Sequence, residues 1–133
     1  MFETTKHKSK VRNALSDCFD PLKSDLGNVH PNMRESKYIL GSILGVCRAY
    51  TSANELSQKA FELIVDAAFE EVFRSQSISV QNRAEAWLDE ADDEFMVAYY
   101  SAKARVETPL DLGWLNQYAQ DHFRKARTLW HPL

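Results

Sequence analysis

The chain has 133 residues, of which 44% are hydrophobic and 26% charged, and its formal net charge is −3. This length fits one domain with its own core, and only four glycines and four prolines argue against a β-rich or disordered chain. The start lacks the apolar run of a signal peptide, and the most apolar window, 38–46, is shorter than the roughly 20 residues of a membrane crossing. We therefore expect a soluble, cytoplasmic protein with one domain over residues 1–133.

Charge is unevenly distributed along this chain. Residues 55–94 contain eleven acids and three bases, whereas residues 1–12 contain one acid and four bases. The middle of the chain is therefore expected to form an acidic surface between weakly basic ends.

The first predicted helix covers residues 3–19 and ends before Pro21, which cannot continue it. Apolar residues recur along it at spacings of three and four, at Val11, Ala14, Leu15, Cys18 and Phe19. Its first turns are basic, and cations are unfavourable at a helix N-terminus. We therefore expect fraying over residues 1–7.

Residues 20–31 form the one long connection, with a proline near each end and a Gly27-Asn28 pair that favours a turn. Leu22, Leu26 and Val29 are its predicted anchors on the core. A connection of this length favours a crossover between helices that are not direct neighbours.

The second predicted helix begins after Asn32, an N-cap residue type, and reaches about residue 50. It contains Gly41 and Gly45, four residues apart. Each glycine costs roughly 1 kcal/mol relative to alanine inside a helix, so a compensating contact is expected. Close approach of another helix within the molecule is the favoured compensation, ahead of a dimer interface.

The third predicted helix, residues 55–76, has the widest apolar arc in the chain, and a Ser52–Glu55 capping-box pattern precedes it. Its charged stripe is narrow and consists of Lys59, Glu62, Asp66 and Glu70. A helix with this pattern needs neighbours around most of its circumference. We expect it to be central, and antiparallel to the second helix because their linker is short.

The fourth predicted helix covers residues 80–106. Alanines along its apolar stripe predict a close seam against the third helix. Its exposed side carries the strongest local charge in the chain, the six acids Glu85, Asp89, Glu90, Asp92, Asp93 and Glu94.

The fifth predicted helix starts at Thr108-Pro109, a favourable cap and first position, and reaches about residue 130. Trp114, Tyr118 and His122 share one side of it at a spacing of four. These rings either close an edge of the bundle or line a groove for a partner or a small ligand.

No pattern in the chain indicates a reaction, a metal or a cofactor. The four histidines are scattered, and none follows a glutamate by three residues as in carboxylate-bridged di-metal bundles. Cys18 and Cys47 lie on apolar helical faces, where a thiol is inert. The sequence predicts a protein that is not an enzyme and has no cofactor and no metal site.

The predicted fold is all-α, a single compact bundle of about five mostly antiparallel helices with the 55–76 helix central. The predicted function is non-catalytic protein binding, as in a small adaptor, inhibitor or immunity-type protein. A partner with a basic surface would dock on the acidic helical face and nearby aromatic residues, which are Glu85, Asp89, Asp92, Asp93, Trp114, Tyr118 and His122. Homodimerisation through the second or the fifth predicted helix is a further hypothesis.

Two alternatives stay open. A nucleic-acid-binding regulator would use the basic N-terminal helix, and it requires Lys6, Lys8, Lys10 and Arg12 to share a surface with Arg124 and Arg127. The acidic middle of the chain argues against it, because it would repel phosphates. The other alternative is a small-ligand pocket near Tyr118 and His122.

Overall fold

The computed structural model describes residues 2–107 and 109–123, with side chains described from residue 4. Within these residues the chain forms no strand and six α-helices, which confirms the predicted all-α bundle. No helix in this part of the chain combines the length and apolar character needed to cross a bilayer. The helices are α1 Phe2–Phe19, α2 Lys37–Ala53, α3 Gln58–Phe73, α4 Ser77–Asp89, α5 Asp93–Arg105 and α6 Gly113–His122.

Helix α3 is enclosed as its periodicity predicted, because α1, α2 and α4 all pack against it. It begins later than expected, since Ser57 is its N-cap and accepts a hydrogen bond from the backbone N–H of Ala60 at 3.1 Å. The predicted Ser52 capping box is wrong because α2 continues to Ala53. The predicted charged residues Lys59, Glu62, Asp66 and Glu70 are all exposed on α3.

Helix α2 is the most deeply buried element, with every residue from 39 to 47 buried. Ser36 caps it by accepting a hydrogen bond from the N–H of Ile39 at 3.1 Å. The predicted cap at Asn32 is wrong because Pro31–Glu35 forms a short 3-10 helix ahead of α2. Helix α3 turns back along α2, where Arg48 donates to the side-chain oxygen of Gln58 at 3.3 Å.

The two glycines of α2 mark its contact with α5. A Cβ at Gly41 would lie 2.7 Å from the carbonyl oxygen of Phe95. A Cβ at Gly45 would overlap the carbonyl oxygen of Tyr99 and lie 2.9 Å from the Cβ of Ala102. The predicted close approach within the molecule is confirmed, and the rising register on both helices shows that α2 and α5 run parallel.

The fourth predicted helix is two helices. Helix α4 ends at Asp89, Ala91 adopts a left-handed φ of 52°, and α5 starts at Asp93. Asp92 interrupts the helix because its carboxylate caps α5, accepting a hydrogen bond from the N–H of Phe95 at 3.0 Å. The predicted alanine seam is therefore divided, with Ala102 packed on α2 rather than on the third helix.

Helix α1 packs against α3 and not along α2, so residues 20–31 make the predicted crossover. Leu22 and Val29 enter the core as expected. Leu26 is 82% exposed, and its predicted role as an anchor is wrong. It precedes Gly27, whose φ of 84° belongs to a tight turn in which the Gly27 N–H donates to the Ser24 carbonyl oxygen at 2.9 Å.

Helix α6 begins at Gly113 rather than at Pro109. Asp111 forms the turn instead, because its carboxylate accepts a hydrogen bond from the N–H of Gly113 at 2.9 Å. The predicted cap Thr108 and the predicted helical residues 124–130 lie outside the described residues. Leu115 and Ala119 place the inner side of α6 in the core.

Candidate functional site

The structure distributes the predicted site residues over separate places. Glu85 and Asp89 are exposed on α4. Asp93 is exposed in the first turn of α5. The three predicted aromatic residues, Trp114, Tyr118 and His122, all lie on α6.

Asp92 has a structural task at the start of α5. Besides capping the helix, it accepts a hydrogen bond from the ammonium group of Lys37 at 2.7 Å. This hydrogen bond, followed by the one from Phe95, lowers the pKa of the Asp92 carboxyl. The same pair raises the pKa of Lys37. The pair ties the start of α2 to the start of α5, so the Asp92 charge is largely satisfied within the molecule.

Tyr118 lies at the centre of an aromatic cluster. Its ring stacks on Tyr38 of α2 at 3.7 Å between centroids and on His122 at 3.9 Å. His122 Nδ1 is 2.9 Å from the Tyr118 carbonyl oxygen, to which it donates. Burial raises the pKa of Tyr118, and nearby Tyr38 and Glu94 add to that rise. The rings fill space against one another and close the edge between α2 and α6.

Sequence reasoning missed Tyr38 because it lies 80 positions before Tyr118 and on another helix. Two further rings border the cluster, Phe123 at 6.5 Å from Tyr118 and His30 at 6.0 Å from Phe123. No local spacing links these residues, so only the packing of α6 on α2 brings them together.

Trp114 lies apart from this stack, towards the C-terminal end of α5. The guanidinium carbon of Arg105 is 4.9 Å from the centroid of the Trp114 ring, a cation–π contact. Trp114 is half-buried and packs against the core. It is therefore a contact between α5 and α6 rather than an exposed aromatic anchor.

A groove lies between α3 and α4, with α2 beneath it; we call it the α3–α4 groove. Its volume is about 360 Å³. The floor is apolar and consists of Leu44, Phe61, Val65 and Leu88. The rim carries carboxylates and amides, from Gln58, Glu62, Asp66, Gln81 and Glu85.

The rim is held together by one amide. Gln81 donates through Nε2 to the carboxylate of Asp66 at 2.8 Å and to that of Glu85 at 3.2 Å. The Arg48 guanidinium covers the ring of Phe61 at 3.5 Å. The groove thus joins an apolar floor to acidic walls contributed by both helices.

Sequence reasoning identified Glu85 of this groove as a site residue, whereas it placed Glu62 and Asp66 only in the charged stripe of the third predicted helix. The two sets lie on different predicted helices, and residue spacing cannot tell which acids face each other across a helix pair. The excess of like charges at four-residue spacing on α3 was the available signal.

A second cleft of about 580 Å³ lies between α1, α6 and the segment before α6. Asp17, Asn116 and Gln120 are polar residues of its lining. Asn116 already donates to the carbonyl oxygen of Cys18 at 2.7 Å. The Cys18 thiol is buried, and burial raises its pKa to about 12, so it is not an activated nucleophile.

Further candidate reactive groups among the described residues are the second cysteine and the possible metal ligands. Cys47 is a buried free thiol whose pKa is raised to about 12 by burial. In residues 2–107 and 109–123, no group of three or more His, Cys, Asp or Glu side chains is placed to hold a metal ion.

Two of the basic residues of α1, Lys10 and Arg12, lie against different parts of the molecule. Arg12 donates to the carboxylate of Glu70 on α3 at 3.1 Å. Lys10 lines a cleft with Tyr50 and Asn54. Arg124 and Arg127, which the nucleic-acid alternative places beside them, lie outside the described residues.

A comparison with family models, curated proteins and solved structures finds no match to this chain. The candidate function therefore depends on the geometry of its surfaces alone.

Proposed function

We propose that this protein is a non-catalytic protein-binding module that holds a basic segment of a partner protein in the α3–α4 groove. The observation that carries the proposal is the convergence of three carboxylates, from Glu62, Asp66 and Glu85, on one apolar cleft. Of the residues predicted from sequence, Glu85 lies in this surface, and Asp89 follows it by one turn of α4.

The apolar floor and the acidic rim of the α3–α4 groove both favour a ligand with long basic side chains. Lys and Arg side chains combine an aliphatic stem with a cationic head. The stem can lie on Leu88, beside the Phe61 ring that Arg48 already covers, while the head reaches the rim. An apolar side chain next to it in the partner would fill the rest of the floor. The partner segment is therefore expected to alternate large apolar and basic residues.

A guanidinium suits the rim better than the amide that now bridges it. Gln81 offers two N–H groups and no charge, and it uses them on Asp66 and Glu85. Arginine offers five N–H groups with a full positive charge, and charge-assisted hydrogen bonds to carboxylates are roughly twice as strong as neutral ones. A bound cation would also relieve the repulsion between the carboxylates.

Exposed acids extend this surface towards the end of α4, where Asp89 and Glu90 follow. Such a field raises the rate at which a basic partner arrives, and salt screens it. Binding should therefore weaken as the salt concentration rises, mainly through a slower association rate.

The test is quantitative capture of proteins from the host lysate on three immobilised forms. The groove variant carries Glu62→Gln, Asp66→Asn and Glu85→Gln; the matched control carries Glu35→Gln, Glu55→Gln and Glu107→Gln, which removes three exposed acids elsewhere. We expect one basic protein to be retained by the wild type and the control, to be lost from the groove variant, and to elute with salt.

A selection from a random peptide library on the same three proteins identifies the preferred chemistry directly. We expect Lys or Arg beside Leu, Phe or Trp to be enriched on the wild type and the control but not on the groove variant. Equal retention of the partner and of the same peptides by the groove variant would contradict the proposal.

A further inference from the structure

Among the described residues, the outer side of α5 is the one helical surface on which large apolar residues are strongly exposed side by side. Val97 is 71% exposed and Tyr100 is 58% exposed, and they lie one turn apart. Ala104 continues this line and is also exposed. Exposed apolar side chains that are contiguous on a helix form a candidate contact surface, and larger contiguous patches mark protein–protein interaction sites.

The inner side of the same helix explains why it is held firmly. Phe95, Ala98 and Ala102 are buried, and the helix lies closely against Gly41 and Gly45 of α2. Because α5 is fixed on its inner side, Val97 and Tyr100 are presented from a rigid element. A rigid surface loses little conformational entropy when it binds.

Charge at the two ends of this surface has opposite signs. Asp93 and Glu94 lie in the first turn of α5, and Lys103 and Arg105 lie in the last. The acids precede Val97 by four and three residues, and the bases follow Tyr100 by three and five. The surface is therefore acidic at one end, apolar in the middle and basic at the other end.

We propose that this surface binds the same surface of a second copy of the chain, with the two α5 helices antiparallel about a two-fold axis. Val97 of each copy then lies against Tyr100 of the other. The acidic first turn of each helix meets the basic last turn of the other. A surface that is complementary to itself in this way is what an isologous dimer requires.

A parallel arrangement of the two helices is disfavoured because it brings like charges together at both ends. Lys103 has its ammonium nitrogen 5.4 Å from the centroid of the Tyr100 ring, at the border of the apolar line. From there it can reach Asp93 of a second copy without leaving that ring. None of these residues lines the α3–α4 groove, so the dimer does not depend on the proposed function.

The first test is sedimentation equilibrium of the full chain from about 1 μM to 1 mM. We expect a reversible monomer–dimer equilibrium for the wild type. Val97→Asp should raise the dissociation constant at least tenfold. The matched control is Ile78→Asp, because Ile78 on α4 is 76% exposed and lies outside the proposed interface; it should leave the dissociation constant unchanged.

The second test distinguishes a second copy from any other partner. Asp93→Lys and Lys103→Glu should each weaken self-association, because each places like charges opposite each other. An equimolar mixture of the two variants should form a heterodimer, since every pair across the interface is again of opposite sign. Circular dichroism of each variant verifies that it is folded.

A wild-type protein that stays monomeric at about 1 mM would overturn the proposal. So would a Val97→Asp variant that associates as well as the wild type, or a mixture of the charge variants that fails to associate. Loss of the dimer with normal partner capture would leave the groove proposal intact, and the reverse result would leave the dimer intact.

Discussion

Helices α3 and α5 differ in the kinds of residue that they bury and expose. Helix α3 buries large side chains such as Phe69 and exposes charged residues such as Glu62 and Asp66. Helix α5 buries Ala98 and Ala102 against α2, together with the large residues Phe95 and Tyr99, and exposes Val97 and Tyr100. The outer side of α3 is thus charged, as expected of a helix surface in water. The exposed apolar residues of α5, in contrast, are not explained by packing within one chain.

The difference originates in α2. Gly41 and Gly45 leave a flat strip that admits a backbone at close range, so the inner residues Ala98 and Ala102 of α5 must be small. Helix α3 packs against ordinary side chains, and its inner residues can be large. The pattern of large and small residues along a helix thus depends on the surface of the neighbouring helix as well as on its own exposure to water.

The largest expected effect contrasts the inner side of α3 with the outer side of α5. Phe69→Ala empties a fully buried site and should lower the free energy of unfolding by about 3–5 kcal/mol. Val97→Ala, on an exposed site, should change it by less than about 0.5 kcal/mol. Urea denaturation at low micromolar concentration measures both without a contribution from association.

A large loss from Val97→Ala at that concentration would show that the outer side of α5 supports the monomer, which would break the contrast. A small loss from Phe69→Ala would show that α3 is not packed as described.

The second prediction tests the close contact between α2 and α5. Gly45→Ala places a methyl group against the Tyr99 carbonyl, a backbone atom that cannot move aside alone. We expect a loss of about 2 kcal/mol. A clash with a backbone atom places the overpacking cost near the upper end of its range of about 1–3 kcal/mol, and alanine returns up to roughly 1 kcal/mol of helix propensity. Thermal and urea unfolding measure the loss.

Gly113→Ala is the matched control, since its Cβ would meet only the side chain of Asp111, at 3.2 Å. Its effect should stay within about 0.5 kcal/mol. If Gly45→Ala were neutral or stabilising, α2 and α5 would have to be farther apart than the structure places them.

The smallest expected effect compares the caps of the two helices. Ser57→Ala removes the α3 cap and should cost about 1 kcal/mol at every pH. Asp92→Asn keeps a capping side chain on α5 but removes the charge that pairs with Lys37. Its cost should therefore depend on pH.

The sign of this pH dependence follows from the lowered pKa of the Asp92 carboxyl. The pKa of Asp92 is lowered from its ordinary value of 3.8 by the hydrogen bond from Lys37 and then by that from Phe95. Its contribution is present above that ordinary value and is lost as pH falls through the lower, folded-state pKa. Unfolding curves of wild type and Asp92→Asn should converge in acid, whereas parallel curves would contradict the pairing.

Much of the architecture could be predicted from apolar periodicity. The burial of α3, the crossover at residues 20–31 and the internal role of Gly41 and Gly45 all follow from local patterns that the structure confirms. Helix ends were harder, because several Ser, Asn and Asp residues near each end are competent caps. Ser36 and Ser57 became the caps of α2 and α3, where Asn32 and Ser52 were predicted.

The surfaces were less predictable than the core. Asp92 belonged to an acidic run in the sequence, yet its position at the start of α5 makes it a cap and an ion-pair partner. Tyr118 was predicted beside Trp114 and His122, but its closest ring is Tyr38 of another helix. Residue spacing describes one helix at a time and does not report which helices meet.

By itself, the sequence determined the helical class, the buried side of most helices and the acidic character of the middle of the chain, because periodicity and charge are local properties. Only the tertiary structure decided that Glu62, Asp66 and Glu85 share one groove and that Val97 and Tyr100 stay outside the core. The physical reason is that each helix has several sides that could be buried. The close approach of α2 and α5 selects among them.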